Sequence, residues 1–314
     1  MTPSISVIIP TFNRAPILRN CLEALAVQTV GSDSVEILVV DDGSTDQTQA
    51  TVEGMRHGAG SVIRYLRQDN QGASAARNRA LDIAAGRILL IINDDSICEP
   101  GVLAEHLRMH DRYPETHEAI LGALRISPDF PKTLFNDLHH DWGYDGLPAG
   151  TDLGWNGFLT YNISLKAALL EPGERFNEGM RWHEDKELGY RLHRRGLRVR
   201  YAPAAVADHY HPMNEASWMH IAERDGRSLA LWLRAEPELR SAVKSLGIHS
   251  RVLGTRNPRH IASDLVITSS TMPYFIGIAR WLAPRQPKLA KAVYRKLFQH
   301  KKRRAIDAAL EAPT

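Results

Sequence analysis

The sequence predicts an α/β fold with a mostly parallel, twisted sheet between layers of helices. Four short, β-branched apolar runs recur in the first hundred residues, with helix-spaced apolar residues between them. Most of these runs are apolar on both faces, as strands covered on both sides of a sheet must be. Strand–helix–strand units of this length require parallel strands joined by right-handed crossovers. With 314 residues, 43% of them hydrophobic, the chain can bury a core of that size.

The predicted elements follow in order along the chain. The strands are Ile5–Ile9, Val35–Val40, Val62–Leu66 and Ile88–Ile92. Leu18, Leu22 and Leu25 share one face of a first helix, and alanines from Ala73 to Ala84 mark a second. Residues 111–162 are irregular and rich in Pro, Gly and aromatic types, which indicates a functional loop region. A helix begins near Glu184, a strand covers 197–201, and helical patterns dominate beyond residue 212.

Composition and charge exclude several classes of protein. The net charge of +3 is too small to mark a nucleic-acid coat. With only Cys21 and Cys98, a disulfide scaffold and a structural zinc ribbon are excluded. No secretory signal opens the sequence, and the apolar stretch 272–284 is far shorter than the ~20 residues of a spanning helix. We expect a cytoplasmic protein, free or peripheral at the inner face of the cell membrane.

Polar groups follow three of the predicted strands at the point where each strand ends. They are Pro10–Arg14, Asp41–Asp46 and Asn93–Ser96. Because ligands of parallel α/β sheets bind outside the carboxyl ends of the strands, we predict that these groups meet at one site. Any single group could instead cap a helix. Helix capping explains the adjacent acids Asp41–Asp42 and Asp94–Asp95 less well, because paired buried carboxylates require a compensating cation or hydrogen-bond donor.

Three further groups could complete such a site. Arg77 can offer a fork of donors to phosphate oxygens, although a helix-surface role explains it equally well. Glu184 and Asp185 open a helix, where the helix dipole favours acidic residues, or one of them serves as a general base. His209 and His211 occupy alternate positions after a strand, so both face the site or both face away, and His209 is a candidate metal ligand.

These motifs, in this order, resemble those of family 2 glycosyltransferases, which have the GT-A fold and transfer sugar from a nucleotide-sugar donor. The matching segments are Val7–Arg14, Val40–Asp46, Gln71–Asn78, Asn93–Asp95, Glu184–Leu192 and His209. The resemblance implies a GT-A, Rossmann-like catalytic domain over residues 1–212, with an acceptor region at about 111–162. Residues 213–314 would form a helical C-terminal region with a basic tail.

The resemblance also implies roles for individual residues. Asp185, with Glu184 beside it, is the expected general base, and Asp95 with His209 is expected to bind Mn²⁺ or Mg²⁺. The expected donor-binding residues are Pro10, Thr11, Asn13, Asp41, Asp42, Arg77, Asn78 and Asp94. Asn93 replaces the first acid of the family's Asp-x-Asp element. Asp95 is therefore expected to be the only protein carboxylate on the metal, with phosphate oxygens and water completing its shell.

The implied reaction is an attack by an acceptor hydroxyl on the anomeric carbon of a nucleoside-diphosphate sugar, for which UDP is the commonest expectation. The cation and Arg77 would neutralise the leaving diphosphate while the base takes the hydroxyl proton. A single displacement inverts the anomeric centre, so the resemblance implies an inverting hexosyltransferase. The acceptor would be a glycan, a lipid-linked sugar or a small molecule.

Aromatic side chains between the metal element and the base are candidates for the acceptor cleft, because their faces pack on sugar rings. They are Trp142, Trp155, Tyr161 and Trp182. Alternatively, several of them fill the core.

The tail from Arg285 to Arg304 carries nine basic residues and no acidic one. As an amphipathic helix, it could lie on an anionic membrane, the interpretation slightly favoured, or remain solvated, or pack against a second subunit of a homodimer. Its apolar positions are Leu289, Val293, Leu297 and Phe298. No nucleic-acid reader motif accompanies the charge, so no nucleic-acid partner is expected.

Two alternative functions share some of these features. A nucleotidyltransferase that makes sugar nucleotides would carry a Gly-rich loop after the first strand, where this chain has Pro10–Arg14. A non-catalytic nucleotide- or glycan-binding relative would usually have lost Asp95 or Asp185, and both are present. The glycine fingerprint of a dinucleotide dehydrogenase is also missing from the sequence.

Overall fold

The computed structural model describes residues 2–31, 34–55, 62–140, 143–243, 246 and 248–312. The chain divides into two compact units. The first comprises Met1–Phe130 and Gly143–His211, and the second comprises Pro131–Trp142 and Pro212–Thr314. The second unit therefore takes in a short segment from the middle of the predicted acceptor region.

The first unit contains a single sheet of eight strands within its described residues. In chain order they are β1 (Ile5–Thr11), β2 (Val35–Asp41), β3 (Val62–Arg67), β4 (Ile88–Ile92), β5 (Ser96–Cys98), β6 (Glu118–Ile126), β7 (Asn162–Lys166) and β8 (Arg198–His209). Their order across the sheet is β3-β2-β1-β4-β7-β6-β8-β5. The first four strands are mutually parallel, as predicted. The rest of the sheet is mixed, because β7 runs antiparallel to β4 and β6 while β6 runs parallel to β8.

Helices cover both faces of this sheet, which confirms the predicted α/β class. They are α1 (Ala15–Ala26), α2 (Thr48–Met55), α3 (Ala73–Leu81), α4 (Val102–Arg112) and, farther along, α6 (Glu184–His193). Successive residues of β1 point to opposite faces. Val7 and Ile9 pack in one cluster with Leu22 of α1, whereas Ile8 packs in another with Ala76 of α3. Each fully buried side chain of the Ile or Leu type stabilises the fold by about 1.5–3 kcal/mol.

The interpretation of residues 111–162 as irregular is wrong for β6, which adds a long central strand there. Alanine and glycine interrupt this strand, so its sequence lacks the β-branched pattern that marks β1 to β4. The pairing of β6 with β8 shifts register between Gly122 and Ala123. A Cβ atom on Gly122 would lie 2.5 Å from the carbonyl oxygen of Ala205, so only glycine fits at this bulge.

The second unit is helical, as expected for the C-terminal region. Its helices are α5 (Leu134–His139), α7 (Glu215–Ala235), α8 (Pro258–Val266), α9 (Met272–Leu282) and α10 (Pro287–Glu311). Trp218 of α7 and Tyr294 and Leu297 of α10 form its core. Gly226 brings α7 close to α10, since a Cβ atom there would lie 2.5 Å from the carbonyl oxygen of Lys302.

Helix α10 contains the basic tail, and protein covers most of its apolar side. Leu297 is fully buried, Val293 and Phe298 pack against the same core, and Leu289 alone of the four predicted apolar positions is exposed. Several basic side chains of the helix form ion pairs inside the unit: Lys291 with Asp137, Lys301 with Glu223, Lys302 with Asp225 and Arg303 with Asp264. The apolar face that was expected to meet a membrane is therefore used to fold the unit.

In the part of the chain that the structure describes, we find no helix long and apolar enough to cross a bilayer.

Candidate active site

The three polar groups meet at the carboxyl edge of the parallel strands, as the sequence predicts. Thr11, at the end of β1, donates its hydroxyl to Asp94 Oδ2 at 2.8 Å. Asn13 connects the first group to the second, because its side-chain oxygen accepts the Thr45 N–H at 2.7 Å and its own N–H donates to Ser44 Oγ at 2.8 Å. Side chains from the ends of β1, β2 and β4 therefore form one cluster. Pro10 is a buried residue of β1 just below it.

Arg14 compensates the charge of the acidic pair after β4. Its two terminal nitrogens contact Asp94 Oδ1 at 2.7 Å and Asp95 Oδ2 at 2.8 Å. Burial raises the pKa of the Asp94 carboxyl to about 6, with Arg14 opposing that rise and the charge of Asp95 adding to it. Burial acts in the same direction on Asp95, but hydrogen bonding and charge from His209, together with Arg14, hold the pKa of this carboxyl well below its usual range. Asp95 therefore remains ionised at neutral pH.

Asp95 is also the residue best placed to bind a cation. Its Oδ1 atom is buried and has no hydrogen-bond partner among the described residues. His209 Nε2 lies 3.5 Å and His211 Nδ1 3.8 Å from Asp95 Oδ2, with the two imidazole rings stacked. No group of three or more His, Cys, Asp or Glu side chains with metal-site spacing occurs in the described residues. The described side chains alone therefore offer too few donors for a closed metal site, and a divalent cation beside Asp95 would need phosphate oxygens and water to complete its shell.

Asp41 and Asp42 are both engaged with the protein. Asp41 accepts the Ser44 N–H at 2.7 Å and the Tyr65 hydroxyl at 2.5 Å. Asp42 accepts the N–H groups of Gln71 and Gly72 at 2.8 and 2.7 Å, besides a side-chain bond from Gln68. The two carboxylates thus fix the turns that follow β2 and β3.

An open cleft of about 430 Å³ adjoins the residues that hold Asp42. It is lined by Arg67, Gln68, Asp69, Gln71 and Arg79.

Arg77 connects helix α3 to the start of helix α6. It is almost completely buried, and it pairs with Glu184 Oε1 at 2.8 Å and donates to Asn93 Oδ1 at 3.2 Å. The next residue, Asn78, holds the segment before α6 through bonds to the backbone of Phe176. Because Asn93 directly precedes the acidic pair, Arg77 ties the predicted base region to the predicted metal region.

Asp185 lies in the first turn of α6, next to Glu184. Burial and then the charge of Glu184 raise the pKa of the Asp185 carboxyl, against the opposing charge of Lys186. The residue before this pair, His183, has a left-handed backbone with φ of 66°. Asn13 (φ 53°) is the other described non-glycine residue in that region, so both strained positions border the site.

Arg181 is a cation at this site that the sequence interpretation missed. Its guanidinium group lies against Gly72, where a Cβ atom would be 2.2 Å from Nη1. The side chain is exposed, and among the described residues no ion pair to it is found. Arg14 was missed as well, although a basic residue at the end of β1 opposite two adjacent acids is a usable sequence signal. Arg181 offers no such signal, because its position depends on the loop before α6.

The aromatic candidates for the acceptor cleft differ in exposure. Trp155 and Tyr161 are buried, and the Trp155 ring packs edge-on against Tyr190. Trp182 is half-buried beside His183. Trp142 lies outside the described residues. The burial of Trp155 and Tyr161 favours the alternative that they fill the core, and an acceptor role stays a prediction for Trp182.

Comparison with known proteins bears on the same part of the chain. Residues 6–138 match the family model described as Glycosyl transferase family 2. This match contains the ends of β1, β2 and β4 and therefore every donor residue predicted from the sequence.

Similar proteins carry glycosyltransferase names. The chain is 30% identical over 283 residues to the validoxylamine A glucosyltransferase of Streptomyces hygroscopicus subsp. jinggangensis, covering 80% of this chain and 66% of that protein. It is 27% identical over 183 residues to the GalNAc(5)-diNAcBac-PP-undecaprenol beta-1,3-glucosyltransferase of Campylobacter jejuni, covering 56% and 55%. The matched part of the chain thus spans about half to two thirds of these relatives.

Solved structures show the same fold. The mannosyltransferase PcManGT from Pyrobaculum calidifontis, in complex with GDP-Man and Mn²⁺, superposes with a TM-score of 0.60 at 18% identity, over 96% of this chain and 86% of that chain. S. aureus TarS 1-349 in complex with UDP gives a TM-score of 0.58 at 17% identity, over 95% and 89%. At this identity the likeness establishes the GT-A fold.

Proposed function

The chain carries a domain of glycosyl transferase family 2, and from this premise we propose that it is an inverting glycosyltransferase that uses a nucleoside-diphosphate sugar, with UDP as the nucleotide. The observation that carries the proposal is the cluster of Thr11, Arg14, Asp94 and Asp95 at one sheet edge, tied through Arg77 to the turn that bears Asp185. A site that binds the diphosphate of the donor and a general base for the acceptor hydroxyl are the two parts that an inverting sugar transfer requires.

The donor would occupy the carboxyl edge of β1 to β4. The open cleft beside Asp42 is the candidate position of the nucleoside, with Thr11 and Asn13 toward the diphosphate. In this arrangement Asp41, Asp42 and Asn78 hold the loops around the donor through the bonds they already make. The neighbouring structures that contain UDP and GDP-Man support a nucleotide ligand for a protein of this fold.

Asp95 and His209 would hold Mn²⁺ or Mg²⁺, with Asp94 next to the donor's ribose or sugar. The cation, when bound, would neutralise charge that develops on the departing diphosphate. The unpaired buried oxygen of Asp95 supports this assignment, and the Mn²⁺ in the PcManGT complex supports the use of a divalent cation by a protein of this fold. Because Arg77 is committed to Glu184, we assign the remaining positive charge for the diphosphate to Arg181.

The chemical step would be a single displacement. The acceptor oxygen forms a bond to the anomeric carbon, the bond from that carbon to the diphosphate oxygen breaks, and the acceptor's proton passes to Asp185. The raised pKa of Asp185 suits a base that must bind a proton near neutral pH. Glu184 acts by holding Arg77 and by raising that pKa, and is therefore a positioning residue.

The acceptor class is proposed from the relatives. One is named for a small molecule, validoxylamine A, and another for a glycan on polyprenyl diphosphate. The half-buried Trp182 is next to the base turn and offers an aromatic surface for a sugar ring of either acceptor.

A ligand screen tests the proposal. UDP with Mn²⁺ should raise the Tm of the full chain more than UDP alone, and more than ADP with Mn²⁺, because binding to the native state alone stabilises it. The gain is about 2.7 kcal/mol at a ligand concentration 100 times Kd. Scanning fluorimetry with Mn²⁺ alone as the control measures this shift. If no nucleoside diphosphate changes the Tm, with or without the metal, the proposed donor site is wrong.

A further inference from the structure

Helix α9 of the second unit is apolar on nearly its whole circumference. Its inner side packs against the core of the unit through Phe275, Ile276 and the buried Ala279 and Leu282. Its outer side carries Tyr274, Ile278 and Trp281 at i, i+4 and i+7, which places them on one face. Their side chains are 75%, 48% and 59% exposed. A helix that is apolar all round is normally buried, so this outer face is expected to be covered when the protein functions.

The chain segment that contains this face is rich in basic residues, one of which, Arg280 of α9, is paired with Glu215 of α7. No acidic residue occurs between Asp264 and Asp307, whereas ten Lys and Arg residues do. Arg285 follows one turn after Trp281, with its guanidinium group 4.7 Å from the centre of the indole ring. Lys288 follows and is exposed. The exposed Leu265 and Val266 at the end of α8 add apolar surface just before α9 in the chain.

We propose that the outer face of α9, made of Tyr274, Ile278 and Trp281, together with Arg285 just beyond the end of the helix, is an interaction surface for an anionic lipid bilayer. Tyr and Trp have an apolar body and a polar edge, which suits the boundary between acyl chains and headgroups. Arg285 and the exposed Lys288, which follow the helix, suit lipid phosphates. The same charges argue against a second copy of the chain, because a two-fold interface would bring the same basic surface against itself.

This surface differs from the tail helix that the sequence indicated. Helix α10 uses its apolar side inside the unit, whereas α9 keeps three large apolar side chains exposed after the unit has folded. The two helices lie in the same unit, so basic side chains of α10 can add long-range electrostatic attraction to the anionic bilayer. The bilayer would be bound at its surface, with α9 lying in the headgroup region.

Vesicle co-sedimentation of the full chain tests the proposal. The protein should sediment with vesicles of phosphatidylcholine mixed with phosphatidylglycerol, and much less with pure phosphatidylcholine. High salt should weaken the binding, because it screens the basic residues. The double variant Ile278→Ser/Trp281→Ser should lower the partition coefficient roughly tenfold or more, because the apolar contribution to membrane binding is removed.

The matched control is Leu231→Ser/Val252→Ser, which removes two side chains of the same unit that are 59% and 46% exposed, close to the exposures of Trp281 and Ile278. This control should bind the mixed vesicles as the wild type does. Equal binding by the Ile278/Trp281 variant and the wild type would overturn the proposal, as would equal binding to neutral and anionic vesicles. Sedimentation velocity without lipid measures the oligomeric state. If the wild type and the control form a dimer and the Ile278/Trp281 variant does not, the face binds a second copy of the chain and the proposal is wrong.

Discussion

Asp185→Asn is expected to lower kcat for sugar transfer by about 10²–10⁴-fold, because it removes the group that takes the acceptor's proton. Donor binding should stay nearly unchanged, since the base acts on the acceptor. The amide is nearly isosteric with the carboxylate, and the Asp185 side chain accepts only the Lys186 N–H in the described structure. Steady-state kinetics with donor binding by calorimetry on the same preparation measures both effects.

The pH dependence of sugar-transfer activity tests the role of Asp185 independently. Burial and the charge of Glu184 raise the pKa of Asp185 above the value of about 4 that an exposed aspartate has. Only the ionised carboxylate can accept a proton, so activity should be full above this raised pKa and fall as the pH drops through it. The Asp185→Asn variant should lack that acidic limb.

Glu184→Gln distinguishes the role of Glu184 from that of the adjacent Asp185. This change leaves the buried Arg77 without its ion-pair partner, so we expect a less stable protein whose activity is lost only in part. Near wild-type turnover by Asp185→Asn would contradict the assignment. A loss confined to turnover in Glu184→Gln would move the role of base to Glu184.

Asp95→Asn is expected to weaken donor binding in the presence of Mn²⁺ by roughly tenfold or more. The reason is that this carboxylate, whose buried Oδ1 has no hydrogen-bond partner among the described residues, no longer attracts the cation. The fold should survive, because Arg14 keeps its ion pair with Asp94. Calorimetric titration of UDP with Mn²⁺ and with EDTA measures the effect, which should vanish in EDTA.

Asp208→Asn is the matched control for this change. Asp208 directly precedes His209 on β8, so the two side chains point to opposite faces of the strand. The Asp208 carboxylate is ion-paired with Arg125. Its removal should leave metal-dependent UDP binding unchanged. Equal Mn²⁺ dependence in the wild type and Asp95→Asn would mean that the metal is held elsewhere.

The first half of the sheet was predictable because β1, β2 and β4 are mostly apolar and rich in β-branched residues, a pattern typical of strands that are buried on both faces. Strand β6 was not, since Gly122 and neighbouring alanines fit the register shift against β8 but carry no strand pattern. The convergence of Thr11 and Asp94 followed from the strand ends alone.

Side-chain partners across long stretches of sequence were not predictable. Arg77 is equally suited to a phosphate or a carboxylate, and its partner Glu184 lies 107 positions away. The bonds that Asp42 accepts from the N–H groups of Gln71 and Gly72 were not predictable either, because no local pattern specifies the path of that loop. A contact between Asp42 and the donor stays a prediction. Arg181 reaches Gly72 only because the loop before α6 folds back, which is a property of tertiary packing.

Anomalous scattering from crystals grown with UDP and Mn²⁺ would test most directly whether the acids at the strand ends form one diphosphate site. The expected result is a single strong manganese peak beside Asp95, with UDP along the edge that Thr11 and Asp94 share. A manganese peak at another place in the chain, or UDP bound away from this edge, would contradict it.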